Sequence, residues 1–225
     1  MTYAWGMGRL GTVALVGGLG LAGLAALALA YPHDPVSGWD EATATWVATH
    51  MPRALEQSAE QLSRLGGLAG LAAVCAVVCG LLAWRRRWLD GVLVVVSLVG
   101  IQLVVVALKG VFERPRPDLD PAIALPASSA FPSGHAAGAV AVLGLLAVVG
   151  VEQAGPRARF ATGVGVVALS LAIGASRVVL GVHHPSDVVA GWCLGVAWLI
   201  GLVLVRQAFR RAPHHIPLPD GRPLA

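Results

Sequence analysis

Charged side chains are scarce in this sequence: they make up 12% of its 225 residues, whereas hydrophobic side chains make up 56%. A soluble domain normally carries about 25% charged residues, so the composition excludes an ordinary soluble protein. It also excludes an intrinsically disordered chain, because such chains combine high charge with low hydrophobicity. The composition therefore predicts an integral membrane protein.

Lysine and closely spaced cysteines are also scarce. Lys109 is the only lysine, and the three cysteines include no Cys-x-x-Cys pair of the kind typical of zinc and redox sites. All three lie in apolar runs, where cysteine usually serves as a small buried side chain. The arginines occur in short runs beside apolar segments, without the interleaved aromatic residues of a nucleic-acid-binding surface. We therefore expect no zinc site and no nucleic-acid partner.

Long apolar runs predict the fold class. A membrane-spanning helix needs about 20 apolar residues, and six stretches approach this length. We predict an all-α bundle of six transmembrane helices in one domain over residues 1–211, followed by a disordered tail at 212–225. The first stretch could instead be a cleaved signal peptide, but its apolar run is longer than usual, which favours a retained helix. The predicted spans are residues 10–31, 65–84, 88–108, 134–151, 160–180 and 187–206.

The arginine clusters predict the orientation of these helices. If six helices alternate in direction, the clusters fall on one side, which the positive-inside rule assigns to the cytoplasm. The other side, outside the cytoplasm, then receives the segments 32–64, 109–133 and 181–186. The clusters consist of Arg9, the run 85–87, Arg157 with Arg159, and the run 206–211.

The outer segment 32–64 has a helical pattern of its own. Ser37 and Asp40 have a spacing that resembles a capping box. Beyond them, Trp39, Trp46 and other apolar residues alternate with acidic residues in a loosely helical period. Amphipathic helices that carry tryptophan tend to lie at the level of the lipid headgroups. We predict a structural amphipathic segment here.

The only lysine begins the first of three polar motifs. Lys109 ends the third predicted helix, and Arg114 and Arg116 follow within eight residues, on the outer side that the positive-inside rule disfavours. Pro115 and Pro117 end any helix at this point, so the three cations should project from a bent segment toward an anion. Arginines that extend to lipid phosphates are the alternative interpretation of this motif alone.

The second motif is Phe-Pro-Ser-Gly-His at residues 131–135, which opens the fourth predicted helix. Pro132 suits the first helical position, so the Ser133 hydroxyl and the Gly134 N–H would lie at the helix N-terminus, where phosphate binds readily. His135 can hold or deliver a proton near neutral pH. The alternative is an ordinary helix cap followed by a packed histidine.

The third motif runs from Ser176 to Asp187. Arg177 lies near the outer end of a helix, without an evident carboxylate partner in the sequence. Asp187 follows His183 by four residues, close enough to accept a hydrogen bond from one imidazole nitrogen and to make the other more basic. A helix-capping role for Asp187 is the alternative.

The alternating topology delivers all three motifs to the same side of the membrane. Fixed cations, helix N–H donors and two histidines, without a cluster of carboxylates for magnesium, suit metal-independent phosphoryl transfer. We therefore expect neither a metal ion nor another cofactor. The residues brought together would be Lys109, Arg116, Ser133, Gly134, His135, Arg177, His183 and Asp187.

The three motifs resemble those of the type 2 phosphatidic acid phosphatase (PAP2) family, whose site is shared with vanadium haloperoxidases. The family pattern is Lys-x6-Arg-Pro, Pro-Ser-Gly-His and Ser-Arg-x5-His-x3-Asp, and every spacing is matched. The resemblance implies that His183 attacks phosphorus to form a phosphohistidine, that Asp187 orients it, and that His135 protonates the leaving oxygen and then activates water. It implies phosphate-binding roles for Lys109, Arg116, Ser133, the Gly134 N–H and Arg177.

The resemblance also separates neighbouring candidates. Arg116 has the family spacing from Lys109, so Arg114 is expected at the rim of the site, where a substrate contact stays open. His184 is expected to be a neighbour of the nucleophile, because only His183 has Asp187 in register.

The expected function is that of a membrane lipid phosphatase. We expect it to remove phosphate from a lipid phosphate or diphosphate at the outer face of the cell membrane. Prenyl diphosphates, phosphatidic acid and phosphatidylglycerol phosphate are the candidate substrates. Two alternatives share the motifs: a lipid phosphotransferase of the same fold, and a non-enzymatic protein that binds or transports lipid phosphates. The intact histidines disfavour the second, because binding alone needs only the cations.

Overall fold

The computed structural model describes residues 17–18, 20–23, 25, 37–119, 121–125 and 127–211, and its regular secondary structure in these ranges is entirely helical. A short π-helical turn, Ala139–Leu143, joins the fifth and sixth α-helices. The α-helices are α1 Gly38–His50, α2 Ala54–Gly66, α3 Leu68–Trp84, α4 Trp88–Phe112, α5 Gly134–Gly138, α6 Gly144–Gly150, α7 Pro156–Val179 and α8 Pro185–Arg211.

Three of these helices are long and apolar enough to cross a membrane. They are α4 with 25 residues, α7 with 24 and α8 with 27, and the pair α2 and α3, bent by 50°, would supply a fourth span. The apolar stretch Gly134–Gly150 is helical but shorter. Within the described residues the helices thus give three or four candidate spans, and the predicted count of six is not established. The predicted span 10–31 and the tail 212–225 lie largely or wholly outside those residues.

Local sequence explains where the helices near the site end. Helix α4 extends to Phe112, four residues beyond the predicted end, and stops at Glu113, whose φ is 44°. The alternating prolines that follow cannot continue a helix. Helices α7 and α8 each begin at a proline, which lacks the N–H that a first helical residue would leave unpaired. The polar motifs therefore lie at helix ends.

Two glycines of α8 allow α5 to approach closely. A Cβ atom on Gly191 would lie 2.5 Å from the carbonyl oxygen of Ser133, and one on Gly195 would lie 2.6 Å from that of Ala137. Any larger residue would push the two helices apart. The start of α5 and the start of α8 thus lie side by side, which brings the second and third motifs together.

The apolar core lies between α3, α4, α7, α8 and the π-helical turn. It includes Leu71, Leu98, Val142, Ile173 and Leu202, all of which are buried. Of the cysteines predicted to be buried, Cys75 is, whereas Cys79 and Cys193 are only half-buried.

The predicted amphipathic segment 32–64 contains most of two helices, α1 and α2. Ser37 caps α1 by accepting a hydrogen bond from the backbone N–H of Asp40, as the capping spacing predicts. Helix α1 packs against α7 and α8, and α2 packs against α7. The tryptophans Trp39 and Trp46 are exposed, whereas Asp40 is buried in the protein. A buried carboxylate needs partners, and those of Asp40 lie at the site.

Candidate active site

Residues from all three motifs line one cavity of about 830 Å³. It lies where the end of α4, the start of α5 and the end of α7 meet the loop before α8. Its polar part contains six of the predicted site residues, Lys109, Arg116, Gly134, His135, Arg177 and His183. The other two, Ser133 and Asp187, are fully buried next to it.

His183 is oriented by Asp187. The Nδ1 atom of His183 lies 3.4 Å from Oδ2 of Asp187, and its Nε2 atom lies 3.4 Å from a guanidinium nitrogen of Arg116. Burial lowers the pKa of His183 to about 4, although Asp187 acts in the opposite direction. The imidazole is therefore neutral at neutral pH. With its proton on Nδ1, facing the carboxylate, the lone pair of Nε2 points toward the cations.

The carboxylate of Asp187 is held from both sides. Its Oδ2 atom accepts a second hydrogen bond, 2.8 Å long, from the backbone N–H of His184, and its Oδ1 atom accepts one from Arg114. The turn after α7 supplies the first contact and the segment after α4 supplies the second. Asp187 thus has a fixed position relative to His183.

Arg114 lines the cavity but is buried, whereas the family spacing predicts a position at the rim of the site. It is 3% exposed, and its guanidinium forms ion pairs with Asp187 and, at 2.8 Å, with Asp40. It also donates a 2.9 Å hydrogen bond to the hydroxyl of Ser186. Sequence spacing could not reveal this, because both carboxylates are distant in the chain and one of them lies on α1.

Four cations line the cavity, and the three other than Arg114 are bound by neutral groups. Lys109 donates to the hydroxyl of Ser128 at 3.3 Å and to the carbonyl of Ser129. Arg116 donates to the carbonyl of Ser128 at 3.0 Å and to that of Val182 at 2.6 Å.

Arg177 is the most deeply buried of the three. It donates to the hydroxyl of Ser63 on α2, and its buried Nε atom has no partner in the described part of the chain. No ion pair joins Lys109, Arg116 or Arg177 to a carboxylate among the residues that the structure describes. The positive charge in the cavity is therefore available to an anion.

The second motif differs in detail from the prediction. Helix α5 begins at Gly134, so Ser133 is the N-cap and Pro132 precedes it, instead of occupying the first helical position. The Ser133 backbone N–H donates to the carbonyl of Asp187 at 2.9 Å, but within the described ranges its buried hydroxyl has no partner.

Sequence reasoning missed four residues that support the site: Asp40, Ser63, Ser128 and Ser129. The serines were not distinguishable from other polar residues in loops and helices. Asp40 was noted only for its capping spacing, and its contact with Arg114 joins residues 74 positions apart.

Other polar groups in the region hold no recognisable cofactor site. The imidazole of His184 is buried, and neither ring nitrogen has a partner among the described residues. In the same part of the chain, no group of three or more histidine, cysteine, aspartate or glutamate residues is arranged to hold a metal ion.

Comparison with known proteins gives one consistent family. The sequence matches the family model of the PAP2 superfamily over residues 90–211, which contain all three motifs. It is 30% identical over 173 residues to phosphatidylglycerophosphatase B of Bacillus subtilis (strain 168), covering 76% of this chain and 84% of that protein. The fold is similar to the crystal structure of a transmembrane PAP2-type phosphatidylglycerolphosphate phosphatase from Bacillus subtilis, with a TM-score of 0.81 and 26% identity over 87% of this chain and 98% of that one. The chain therefore belongs to the PAP2 superfamily and is a membrane phosphatase.

Proposed function

We propose that this protein hydrolyses lipid phosphates at the outer face of the membrane, through a covalent phosphohistidine at His183 and without a metal ion. The observation that carries the proposal is the pairing of a neutral, carboxylate-oriented imidazole with three cations that have no carboxylate partner in the described residues. Such a site matches a phosphoryl group in charge and supplies a nucleophile for it.

The cavity is suited to a lipid because one wall is apolar. Leu68, Val105, Val106 and Leu125 line this wall, and Leu68 and Val106 are also exposed on the surface. A phosphate among the cations would leave the hydrocarbon chains beside these residues. The names of the two relatives make phosphatidylglycerol phosphate the first substrate to test, with phosphatidic acid and prenyl diphosphates after it.

The first chemical step forms the phosphohistidine. The Nε2 lone pair of His183 attacks phosphorus and the bond from phosphorus to the lipid oxygen breaks. His135, whose protonated form is favoured once the anionic phosphate lies among the cations, delivers its proton to that oxygen. The imidazole of His183 becomes cationic, and Asp187 stabilises it through Nδ1. Charge on the phosphoryl oxygens is stabilised by Lys109, Arg116, Arg177, the Ser133 hydroxyl and the Gly134 N–H.

The second step releases phosphate. His135, now neutral, accepts a proton from water as the water oxygen attacks phosphorus, and the bond between phosphorus and Nε2 breaks. Inorganic phosphate leaves, His183 is neutral again, and His135 is again protonated. The two steps together consume one water molecule.

The topology proposed for this activity has six spans in one domain over residues 1–211. The helical residues in the range 17–25 support a first span, since Gly20 lies against the backbone of Cys193 on α8. The arginine clusters at 85–87 and 206–211 lie at the end of the bundle opposite the cavity, so the positive-inside rule favours an extracytoplasmic site.

The experiment is phosphate release from a panel of lipid phosphates by purified protein, with and without EDTA. We expect His183→Ala to reduce release at least about 10³-fold, as expected for loss of a nucleophile. His184→Ala is the matched control, because it changes the adjacent imidazole and keeps the backbone N–H that contacts Asp187; we expect most activity to remain. Full activity of His183→Ala would contradict the proposal, and so would complete loss in EDTA.

Two further measurements test the finer parts of this proposal. Denatured protein quenched during turnover of ³²P-labelled lipid should carry a label that is labile to acid and stable to alkali, and His183→Ala should carry none. Product analysis with an added lipid alcohol distinguishes hydrolysis from transfer. Release by oriented proteoliposomes from lipid in the outer or inner leaflet reports the side of the site.

A further inference from the structure

We infer that Asp40 and Arg114 are positioning residues, which hold the carboxylate of Asp187 in place and keep a net negative charge behind His183. Helix α1 would then be part of the catalytic machinery, although it precedes the three motifs and the 90–211 match to the family. This inference rests on the proposed function, because it assigns a role in the attack of His183 on phosphorus.

Arg114 connects two carboxylates that are far apart in the chain. One terminal nitrogen, NH1, donates to Oδ1 of Asp187 and, at 2.9 Å, to the hydroxyl of Ser186. The other, NH2, donates to Oδ2 of Asp40 at 2.8 Å. Both carboxylates and the guanidinium are almost fully buried, with side chains no more than 1% exposed.

Asp40 is fixed independently of Arg114. Its Oδ1 atom accepts the backbone N–H of Ser186 at 2.9 Å, and its Oδ2 atom accepts the Ser186 hydroxyl at 2.6 Å and the Ser37 hydroxyl at 3.2 Å. Ser186 directly precedes Asp187. Asp40 therefore anchors the first turn of α8 and the guanidinium that holds Asp187.

Charge gives the arrangement its chemical role. Asp187 and Arg114 alone would form a neutral pair, with little negative charge left for the cation that develops on His183 as its Nε2 bonds to phosphorus. Asp40 adds a second negative charge, so the three groups together carry one net negative charge. Buried charges interact strongly and without much screening, so this charge favours the cationic imidazole.

Several other charged or titratable groups surround His183. Arg116 faces it from the segment after α4, Arg177 from α7, Lys109 from α4 and His135 from α5, while Asp187 faces it from α8. Glu41 on α1 and the neighbouring His184 lie on the side of Asp40. These groups are common to all the variants below, so the variants report only the change made at Asp40 or Arg114.

The two positions predict opposite effects on the pH profile. Asp40→Asn removes a negative charge and should lower the pKa of His183, which moves the acid limb of kcat to lower pH. Arg114→Gln removes a positive charge and should raise this pKa, which moves the limb to higher pH. Each shift should be about 0.5 to 1 pH unit, the usual size for a nearby charge that is not in direct contact. The double variant should lie near the wild type.

The expected loss of rate separates positioning from substrate binding. We expect both single variants to lower kcat by about tenfold or more with little change in KM. This is less than the roughly 10⁴-fold loss on changing the aspartate of a serine-protease triad. Arg114→Lys keeps the charge but cannot bridge both carboxylates. Its acid limb of kcat should therefore lie at the wild-type pH, whereas its kcat should be only partly restored relative to Arg114→Gln.

The experiment measures kcat, KM and the acid limb for each variant in detergent, together with hydrogen–deuterium exchange at the imidazole C2 of His183 as a function of pH. The exchange reads the protonation of His183 without turnover. Asp90→Asn at the other end of the bundle is the control for loss of a buried carboxylate, and it should move neither the limb nor the exchange profile.

Opposite shifts in Asp40→Asn and Arg114→Gln support the inference. Shifts that are absent, or equal in direction, overturn it and leave α1 a structural element, even if both variants lose activity. Failure of the proposed function is distinguishable: wild-type protein would then release no phosphate, or His183→Ala would retain it, and the exchange profiles would still decide whether Asp40 and Arg114 act on His183.

Discussion

Each end of the helical bundle contains a group of three basic side chains, and the partners of the two groups differ. At the end without the cavity, Arg87, Arg206 and Arg210 each form ion pairs with both Asp90 and Glu152. These contacts join the start of α4 and the turn between α6 and α7 to the end of α8. Three positive charges are shared by two negative ones, and we call this set the inner cluster.

At the cavity end, Arg114 is paired with Asp40 and Asp187, but three other positive charges have no such partners. Lys109, Arg116 and Arg177 donate to hydroxyl and carbonyl groups, and no carboxylate pairs with them in the part of the chain that the structure describes. A buried cation without an anion is unfavourable, because hydrogen bonds to neutral groups replace only part of its hydration. We call these three residues the cavity cations.

The difference shows that basic side chains can either stabilise the fold or remain able to bind an anion. In the inner cluster, the energy of desolvating the cations is offset by the two carboxylates. The cluster therefore contributes to the stability of the fold, and its paired cations would attract a further anion only weakly. Among the cavity cations the desolvation energy is offset only when an anion binds. In the proposed function, that anion is the phosphoryl group, and its interaction with the cavity cations is the usual basis of electrostatic catalysis.

Arg177→Gln is expected to have the largest effect. Loss of this buried cation should reduce kcat/KM for lipid phosphate by about 10² to 10³, or roughly 3 to 4 kcal/mol of transition-state stabilisation. The melting temperature of the empty protein should not fall, since the change removes a cation without a carboxylate partner. Steady-state kinetics and thermal unfolding in detergent measure both. A variant that keeps its activity but has a lower melting temperature would contradict the proposed difference between the two ends.

Asp90→Asn should show the opposite pattern. Asp90 is buried and contacts three arginines, so its loss should lower the free energy of unfolding by about 3 kcal/mol. Phosphate release per folded molecule should be unchanged. Asp118→Asn, at an exposed carboxylate, is the matched control and should change neither. Loss of turnover without loss of stability would show that the inner cluster acts on the site.

Arg210→Ala should have the smallest effect. The side chain of Arg210 is 40% exposed, so solvent screens its ion pairs. We expect a loss of about 0 to 1 kcal/mol, which should shrink as salt is added. Thermal unfolding at low and high ionic strength measures it. A loss as large as that of Asp90→Asn, or one independent of salt, would contradict the expectation that solvent exposure weakens the ion pairs of Arg210.

Much of the fold near the site could be predicted from the sequence. The predicted spans 88–108, 134–151, 160–180 and 187–206 correspond to helical segments that begin and end within a few residues of them, because apolar runs and prolines are local signals. The π-helical turn inside the fourth of the six predicted spans was not predicted, since its sequence, Ala-Val-Ala-Val-Leu, is ordinary for an α-helix. The six-helix arrangement stays a prediction.

The motif residues at the candidate site could be predicted from the sequence, but the ion pairs that hold charged residues in place could not. The motif residues lie around one cavity, as their spacing and family resemblance predicted, but their roles in catalysis remain proposals. The ion pairs of Arg114 could not be predicted, because its two carboxylates are 73 and 74 positions away. The inner cluster was read as topology signals alone, since Asp90 and Arg206, 116 positions apart, show no pattern that pairs them.

The sequence by itself determined the membrane environment, the helical segments and the polar motifs that meet at the cavity, because each depends on composition or on short spacing along the chain. Tertiary structure alone decided which charges are paired. Pairing depends on distances of a few ångströms between segments that are remote in sequence, and burial then decides how much each pair or unpaired charge is worth. Arginine side chains therefore form stabilising ion pairs at one end of this protein, whereas at the other end two of them line the cavity without a carboxylate partner among the described residues.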